Sequence, residues 1–477
     1  MYNQHLNLGG DAWDDKLHEE CGVFGLFNGG GLDTAGVAYA AMHAMQHRGQ
    51  DGAGIAVSDG AEVDYVKNVG LLSEVIDAAT IEAFNKKKIA IGHIRYATSS
   101  RAHTVINTQP LVMHGHDGFM ALAHNGHVVN SGSVREELQA QGHLLQTHVD
   151  TEIFLHLIAR ESRGTTVEWG IESMMRQVRG SYAIVLMMKD KLYGMRDPWG
   201  IRPLSIGKLG NSYLLASESC AFGAVGAELV RDVLPGEIVI IDDKGLHSIQ
   251  TPPKKTRSMC VFEYVYFARS DSVIDGSGVY GSRIRSGEAL AGVDPVEADL
   301  VAGVPDSAIP AALGYARASG IQFGQALIKN PYSGRTFIQP GQRSRERSVL
   351  MKLSVVREQV EGKRIVLVDD SIVRGTNSLR IVDMLRQAGA KEVHMRIASP
   401  PVLCPCHFGI NTPTASQLIS AQNAVSTVCK MIGADSLAYL TIEGLKEAVH
   451  PGGQGLCTAC FDGKYPMPIE DVSIYRT

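Results

Sequence analysis

Hydrophobic and polar residues alternate along the first half of the chain in a pattern typical of short antiparallel strands. Between residues 21 and 245, runs such as CGVFGLF, GAGIAVS, YAIVLMM and EIVIIDD are separated by Gly, Asn and Asp. Residues 34–48 and 151–163 instead carry apolar side chains at three-to-four spacing, which predicts helices. Many short strands combined with helices predict an α+β domain of layered antiparallel sheets.

The pattern changes after the segment TPPKKTRS (251–258), which is basic and contains prolines and is interpreted as a linker. The run KRIVLVDD (363–370) is a continuous apolar strand, and the helix after it carries Leu379, Val382 and Leu385 on one face. The run EVHMRIAS supplies the next strand. This βαβ unit predicts an α/β domain with a parallel sheet.

The composition excludes several classes of protein. The 477 residues are 44% hydrophobic and 20% charged, with a net charge of −5, so the chain has no basic surplus for binding nucleic acid. Its apolar runs are much shorter than the roughly 20 residues of a membrane helix, and residues 1–20 lack the apolar core of a signal peptide. We therefore expect a cytoplasmic enzyme with no nucleic-acid or membrane partner.

Eight cysteines are too few for a disulfide scaffold in a chain of this length. Cys457 and Cys460 form a CxxC motif, and Cys260 and Cys406 are candidates to complete a four-thiolate site, with Cys404 as an alternative to Cys406. By spacing alone, zinc fits such a site at least as well as an iron–sulfur cluster.

Cys21 opens the run CGVFG, and by itself it is read most simply as a small buried residue at the start of a strand. The motifs HRGQDGAGI, GHIRYAT and HNG follow it in order. In this order the motifs resemble those of the N-terminal-nucleophile glutamine amidotransferases. The resemblance implies a propeptide at residues 1–20, whose removal frees the α-amino group of Cys21 as the base for its own thiol.

The same resemblance implies the roles of four further residues. They are Asn125 and Gly126 as the oxyanion hole, Arg95 on the α-carboxylate of glutamine, and Asp150 on its α-ammonium group.

The run IVLVDDSIVRGTNS (365–378) ends a strand with two carboxylates and opens a helix with a Gly/Thr/Ser turn. N–H groups at a helix start can hold a phosphate, and Asp369 and Asp370 can accept ribose hydroxyls or bind Mg²⁺. The run resembles the fingerprint of type I phosphoribosyltransferases. The resemblance implies phosphoribosyl pyrophosphate contacts from Asp369, Asp370, Ser371, Arg374, Gly375, Thr376, Asn377 and Ser378.

Two further segments resemble parts of the same family. VPDS (304–307) matches the pyrophosphate-side loop, which implies that Ser307 assists Asp369 and Asp370 at Mg²⁺. The segment 329–340 matches the loop that closes over the substrate, which implies that Lys329 contacts phosphoribosyl pyrophosphate. Two positions depart from the family pattern: Pro331 replaces a basic residue, and Asn377 replaces a hydroxyl residue.

From residue 21 to about 470 the chain resembles the amidophosphoribosyltransferases of the propeptide-bearing, iron–sulfur type. The resemblance implies a glutaminase domain at 21–250, a phosphoribosyltransferase domain with a cysteine-containing tail at 259–470, and the first committed step of de novo purine synthesis. It also implies one Mg²⁺ and one [4Fe–4S] cluster per subunit, feedback inhibition by purine nucleotides, and a homotetramer. The implied cluster ligands are Cys260, Cys406, Cys457 and Cys460.

Two other readings are disfavoured by the motifs. Other amidotransferases that share the first half, such as those acting on fructose 6-phosphate or forming asparagine, have no need of VLVDDSIVRGT. A regulator that senses phosphoribosyl pyrophosphate and binds DNA would lack the complete nucleophile motifs and would carry a basic face.

Overall fold

The computed structural model describes residues 21–96, 104–115, 118–252, 256–330, 353–450 and 455–469. The strands of the first half are β1 (Gly22–Phe27), β2 (Gly52–Ser58), β3 (Val63–Val69), β4 (Ile89–Arg95), β5 (Leu111–Gly115), β6 (Gly118–Val128), β7 (Gly180–Met188), β8 (Lys191–Arg196), β9 (Ser205–Leu209), β10 (Ser212–Ala216), β11 (Glu228–Asp232), β12 (Glu237–Asp242) and β13 (Gly245–Gln250). Its helices are α1 (Thr34–Ala44), α2 (Leu72–Val75), α3 (Ala78–Phe84), α4 (Ser131–Ala140), α5 (Asp150–Glu161), α6 (Val167–Gln177) and α7 (Cys220–Gly223).

These strands form two stacked antiparallel sheets, in the orders β11-β9-β10-β1-β4-β2-β3 and β13-β12-β8-β7-β6-β5. The alternation along β1 shows why they stack. Val23 and Phe27 pack into the core between the sheets, whereas Phe24 and Leu26 pack on the opposite face among residues of α1. Helices α5 and α6 cover the outer face of the second sheet. The predicted α+β fold of layered antiparallel sheets is confirmed, and α1 and α5 occupy the two predicted helical stretches.

The second half begins with β14 (Met259–Cys260) and a π-helical turn (Glu263–Phe267). Its other strands are β15 (Val273–Ile274), β16 (Ser277–Gly278), β17 (Leu300–Gly303), β18 (Leu327–Lys329), β19 (Leu353–Val355), β20 (Arg364–Asp369), β21 (Glu392–Ile397), β22 (Ser436–Tyr439) and β23 (Leu456–Cys457). Its helices are α8 (Val279–Ala291), α9 (Ile309–Ser319), α10 (Arg357–Val360), α11 (Thr376–Gln387), α12 (Ile419–Gln422), α13 (Val425–Met431), α14 (Ile442–Val449) and α15 (Ala459–Asp462).

A four-stranded parallel sheet, in the order β17-β20-β21-β22, lies between two helical layers. Val366 and Val368 of β20 face the side of α8, α9 and α14, and Ile365 and Leu367 face the side of α11 and α13. Burial on both faces explains why β20 reads as a continuous apolar run. The predicted parallel sheet is therefore confirmed.

One detail of the helix prediction is wrong. In α11 the buried residues include Ile381, Val382 and Leu385, whereas Leu379 is 38% exposed. Leu379 and Leu385 lie about 120° apart around the helix, so both cannot face the sheet fully. No helix among the described residues is long and apolar enough to cross a membrane.

Candidate functional site

Cys21 lies immediately before β1, the central strand of the first sheet. Gly22, the next residue, pairs with Ile94 on β4, so Cys21 lies close to Arg95, the residue that follows Ile94. Cys21 has a φ of 70°, which is uncommon for a residue other than glycine, and such backbone conformations cluster at functional sites. The fold thus brings the predicted nucleophile and the predicted glutamine-binding arginine together.

Asn125 and Gly126 lie on β6 of the second sheet, which packs against β1 and β4. The Asn125 side chain is fully buried, and neither of its polar atoms has a hydrogen-bond partner among the described residues. A buried amide without partners is costly unless a ligand uses it. Gly126 has a φ of 141°, and a Cβ there would lie 2.1 Å from the carbonyl oxygen of Ser181, so no other residue fits.

His93 connects the two sheets beside these residues. Its Nε2 lies 3.1 Å from the carbonyl oxygen of His124, so this nitrogen must carry the proton and donate it. Burial lowers the pKa of His93 to about 3, which keeps the ring neutral. His93 thereby joins β4, two residues from Arg95, to β6, one residue from Asn125. The motif GHIRYAT contained this histidine, but its pattern assigned it no role.

Asp150 is the first residue of α5. Its Oδ2 accepts a hydrogen bond from the Val128 N–H at 2.9 Å and lies 3.2 Å from Nδ1 of His127. Burial alone would raise the pKa of Asp150, but the charge and hydrogen bond of His127 and the Val128 N–H together hold it below its usual value. The carboxylate is therefore ionised at neutral pH, as a group that binds an ammonium ion must be.

Asp369 and Asp370 lie where β20 ends, and both are buried. Oδ2 of Asp370 accepts from Ser307 Oγ at 2.5 Å, and its Oδ1 accepts from Ser371 Oγ at 2.8 Å. The structure thus brings Ser307 to the Asp370 carboxylate although the two residues are far apart in sequence. Hydroxyl donors on both oxygens orient the Asp370 carboxylate.

Gly375 ends the loop that follows and precedes α11. It has a φ of 81°, which strains any residue other than glycine, and a Cβ there would lie 2.6 Å from Ile419 Cδ1, so glycine is favoured. Gly375 has no side chain to cap the first turn of α11, and N–H groups at the start of a helix are able to hold a phosphate. Arg374, Thr376 and Asn377 are partly exposed around this turn, and Ser378 is buried.

Lys329 ends β18, and its Nζ lies 2.5 Å from Oδ2 of Asp306 in the VPDS loop. The exposed lysine is thus placed at the predicted pyrophosphate side. Residues 331–352, which include Pro331 and most of the predicted closing loop, lie outside the described residues, as does the predicted propeptide.

The four predicted cluster cysteines come together where the two halves of the chain meet. Cys260 of β14 pairs directly with Cys457 of β23. Burial raises the pKa of Cys260 and Cys460, and the nearby thiols of the set, Cys406 among them, raise it further. For Cys404 the neighbouring charge is instead Asp462. All eight cysteines are free, and no group of three or more His, Cys, Asp or Glu side chains in the described ranges is arranged to hold a single metal ion.

Arg48, in the HRGQDGAGI motif, is a further residue at this site that sequence reasoning missed. Its side chain is fully buried, and its Nε donates to the carbonyl oxygen of Cys21 at 3.2 Å. The motif signalled its importance, but the spacing alone could not show that it contacts the backbone of the nucleophile.

Comparison with known proteins agrees with this geometry. The family described as a glutamine amidotransferase domain matches residues 94–224. Amidophosphoribosyltransferase from Bacillus subtilis is 47% identical over 458 residues, covering 95% of each chain. The enzyme of the same name from Archaeoglobus fulgidus is 45% identical over 453 residues, covering 94% of this chain and 98% of its own.

Among the solved structures, two examples resemble nearly the full length of the chain. The glutamine phosphoribosylpyrophosphate amidotransferase from B. subtilis, complexed with ADP and GMP, superposes with a TM-score of 0.88 at 47% identity, covering 95% of this chain and 98% of its own. A structure described as the allosteric regulatory enzyme of purine biosynthesis has a TM-score of 0.90 at 46% identity, covering 95% and 97%. The chain belongs to the amidophosphoribosyltransferase family, the glutamine-dependent amidotransferases of purine biosynthesis.

Proposed function

We propose that this enzyme hydrolyses glutamine at Cys21 and transfers the ammonia to phosphoribosyl pyrophosphate, giving 5-phosphoribosylamine, glutamate and pyrophosphate. The observation that carries the first half-reaction is the buried Asn125 amide without a partner among the described residues, on a strand that packs against β1, which begins directly after Cys21. The Cys21→Ala experiment in the Discussion tests the proposal.

In the proposed glutaminase reaction, residues 1–20 are removed and the freed α-amino group of Cys21 accepts the thiol proton. An α-amino group has a pKa of about 7.7–8.0, so it is a competent base near neutrality. Sulfur attacks the side-chain amide carbon, the protonated α-amino group returns the proton to the leaving nitrogen, and the carbon–nitrogen bond breaks to release ammonia. Water then cleaves the thioester, giving glutamate and the free thiol. Asn125 and the Gly126 N–H stabilise the oxyanion, while Arg95 and Asp150 hold the substrate's α-carboxylate and α-ammonium groups.

Asn125→Ala tests the oxyanion role. We expect the glutamine-dependent kcat to fall by about 10²–10³-fold with the KM for glutamine nearly unchanged, because the lost donor acts mainly in the transition state. Steady-state kinetics with glutamine and with ammonia measure both quantities. Turnover with ammonia is the internal control and should be retained; an equal fall with both nitrogen donors would contradict the role.

In the proposed transferase reaction, the N–H groups that open α11 and the side chains of Arg374, Thr376, Asn377 and Ser378 hold the 5-phosphate. Asp369 and Asp370 accept the ribose hydroxyls, and Lys329 contacts the pyrophosphate. The donor set fits Mg²⁺, since the carboxylates of Asp369 and Asp370 and the hydroxyl of Ser307 are hard oxygen ligands at one strand end. When bound, Mg²⁺ neutralises charge on the leaving pyrophosphate. Ammonia displaces pyrophosphate at the anomeric carbon.

We also propose that Cys260, Cys406, Cys457 and Cys460 hold a [4Fe–4S] cluster. Four free thiols, three of which lie close enough to others of the set to affect their pKa, fit a group that binds several cysteines at once.

The cluster is tested by analysis of anaerobically purified protein. We expect equimolar iron and acid-labile sulfide, lost in Cys406→Ser and retained in the matched control Cys404→Ser, because Cys406 and not Cys404 interacts with the other thiols. Zinc without iron, or loss in Cys404→Ser only, would contradict the assignment.

The remaining features follow from family membership and the sequence. We infer a glutaminase domain at 21–250 and a phosphoribosyltransferase domain at 259–470. The B. subtilis structure holds ADP and GMP, which supports feedback inhibition of this chain by purine nucleotides. We further infer a cytoplasmic homotetramer that binds neither nucleic acid nor membrane.

A further inference from the structure

A cluster of fully buried charges joins the two halves of the chain beside Cys21. The Arg48 guanidinium contacts two carboxylates: Glu218, at Nη1, and Glu263, through Nη2 to Oε1 at 2.9 Å and Nη1 to Oε2 at 3.1 Å. All three side chains have zero exposure. Arg48 and Glu218 belong to the first half, and Glu263 begins the π-helical turn of the second half.

The π-helical turn is held firmly by Arg283 of α8. Its Nε donates to the carbonyl oxygen of Tyr264 at 2.8 Å, and its Nη2 donates to the carbonyl oxygens of Tyr266 and Ala268 at 3.0 and 2.8 Å. Glu263 therefore projects from a backbone that the phosphoribosyltransferase half positions. Its carboxylate contacts Arg48 of the first half and is held in a fixed position by the second half.

Because the Arg48 guanidinium is planar, fixing its two Nη atoms also fixes the direction of its Nε–H bond, and this affects the backbone of Cys21. With Nη1 and Nη2 held by Glu218 and Glu263, the direction of the Nε–H bond is set, and that bond points at the carbonyl oxygen of Cys21. A buried charged residue that loses one of its partners must rearrange, because an unpaired buried charge is costly.

We propose that Glu263 is a positioning residue for the glutaminase reaction: acting through Arg48, it fixes the backbone of Cys21 in the attacking geometry. The proposal rests on the proposed role of Cys21 as the nucleophile. In consequence the phosphoribosyltransferase half supplies part of the glutaminase site, and neither the Cys21 motif nor the first half alone contains the complete arrangement.

The test uses Glu263→Gln in the full-length, cluster-containing enzyme. The amide keeps one acceptor oxygen but loses the charge and turns a donor toward Arg48 and toward Arg202, whose Nη1 lies 3.5 Å from Glu263. We expect the glutamine-dependent kcat to fall by about tenfold, the size of one lost charged hydrogen bond. The KM for glutamine and the ammonia-dependent rate should stay at wild-type values.

Asp275→Asn is the matched control. Asp275 also forms a buried ion pair between the halves, with Arg196 at 2.8 Å and side chains 1% exposed, but it makes none of the contacts to Cys21. Asn also tolerates the φ of 50° at this position. We expect this variant to lose thermal stability as Glu263→Gln does while keeping glutamine-dependent turnover. Equal loss of turnover in both variants would show a merely structural role and overturn the proposal.

A double-mutant cycle with Arg48→Lys gives a readout that general destabilisation cannot produce. Because Glu263 acts through Arg48, adding Glu263→Gln to Arg48→Lys should cost little further turnover, whereas independent effects would multiply.

If Glu263→Gln is poorly folded, Glu263→Asp keeps the charge and should give turnover between wild type and Glu263→Gln. Turnover at or below that of Glu263→Gln contradicts the proposal. Glutamine-dependent turnover that survives in Cys21→Ala would refute the nucleophile assignment itself, whatever the Glu263 variants do.

Discussion

Cys21→Ala is expected to lower glutamine-dependent turnover by at least about 10³-fold while leaving ammonia-dependent turnover intact. Removing the sulfur leaves no group to form the thioester, so glutamine releases no ammonia. Added ammonia needs only the phosphoribosyltransferase site, and the carboxylates proposed for that site, Asp369 and Asp370, lie at the end of a different sheet. Pyrophosphate release measured with each nitrogen donor separates the two activities.

Cys429→Ala is the control, since this partly buried cysteine lies outside both proposed sites and should retain both activities. Loss of ammonia-dependent turnover in Cys21→Ala would contradict the two-site mechanism.

The intact mass of the same variant tests whether the removal of residues 1–20 is self-catalysed. If the cut before Cys21 is self-catalysed, the wild-type mass should begin at Cys21 and the variant's mass at Met1; a variant lacking residues 1–20 would show that another protein makes the cut.

Asp370→Asn is expected to lower turnover with both glutamine and ammonia, by about 10²-fold or more. The substitution removes a carboxylate that is proposed to bind the ribose hydroxyls and Mg²⁺. A bound metal ion stabilises the charge that develops in the transition state by several kilocalories per mole, so losing its ligand should slow the reaction strongly. Both oxygens of Asp370 accept hydrogen bonds from hydroxyl groups, those of Ser307 and Ser371. In asparagine one of these oxygens becomes an NH₂ donor, which would then face a hydroxyl donor. Kinetics with varied Mg²⁺ and varied phosphoribosyl pyrophosphate measure the effect.

Asp299→Asn provides a control on the same sheet. Asp299 pairs with Arg364 at the opposite end of β20 from Asp370, so its loss should leave turnover with both donors intact. Thermal unfolding and iron content confirm that each variant is folded. Selective loss of the glutamine reaction in Asp370→Asn would contradict its placement in the phosphoribosyltransferase site.

The fold class was predictable because a buried face of a strand or helix requires apolar residues at a regular spacing along the sequence. Val23 and Phe24 point to opposite faces of β1 and both meet apolar layers, and Ile365 and Val366 do the same on β20. Helix faces were less predictable. Leu379 is at three-residue spacing from Val382, yet it is exposed because packing against the sheet covers only part of the helix circumference.

The candidate site divides in a similar way. Contiguous motifs named Cys21, Arg95, Asn125 and the 369–378 loop. The structure brings Cys21 close to Arg95 because their chain neighbours Gly22 and Ile94 pair in the sheet. The residues that sequence reasoning missed have long-range partners. His93 meets the backbone of His124 in the other sheet, and Arg48 meets Glu263 over 200 residues away along the chain.

The sequence by itself determined which two kinds of chemistry to expect, because each needs particular residue types within a short stretch. These are a cysteine that is proposed to become an N-terminus, and paired carboxylates before a helix that is proposed to bind phosphate. Only the tertiary structure decided which groups share a partner. It placed Cys260 opposite Cys457, Ser307 on Asp370 and Glu263 on Arg48. The physical reason is that buried charges and thiols take their partners from whatever the packed sheets bring near, and that proximity is set by strand register and layer stacking rather than by spacing along the chain.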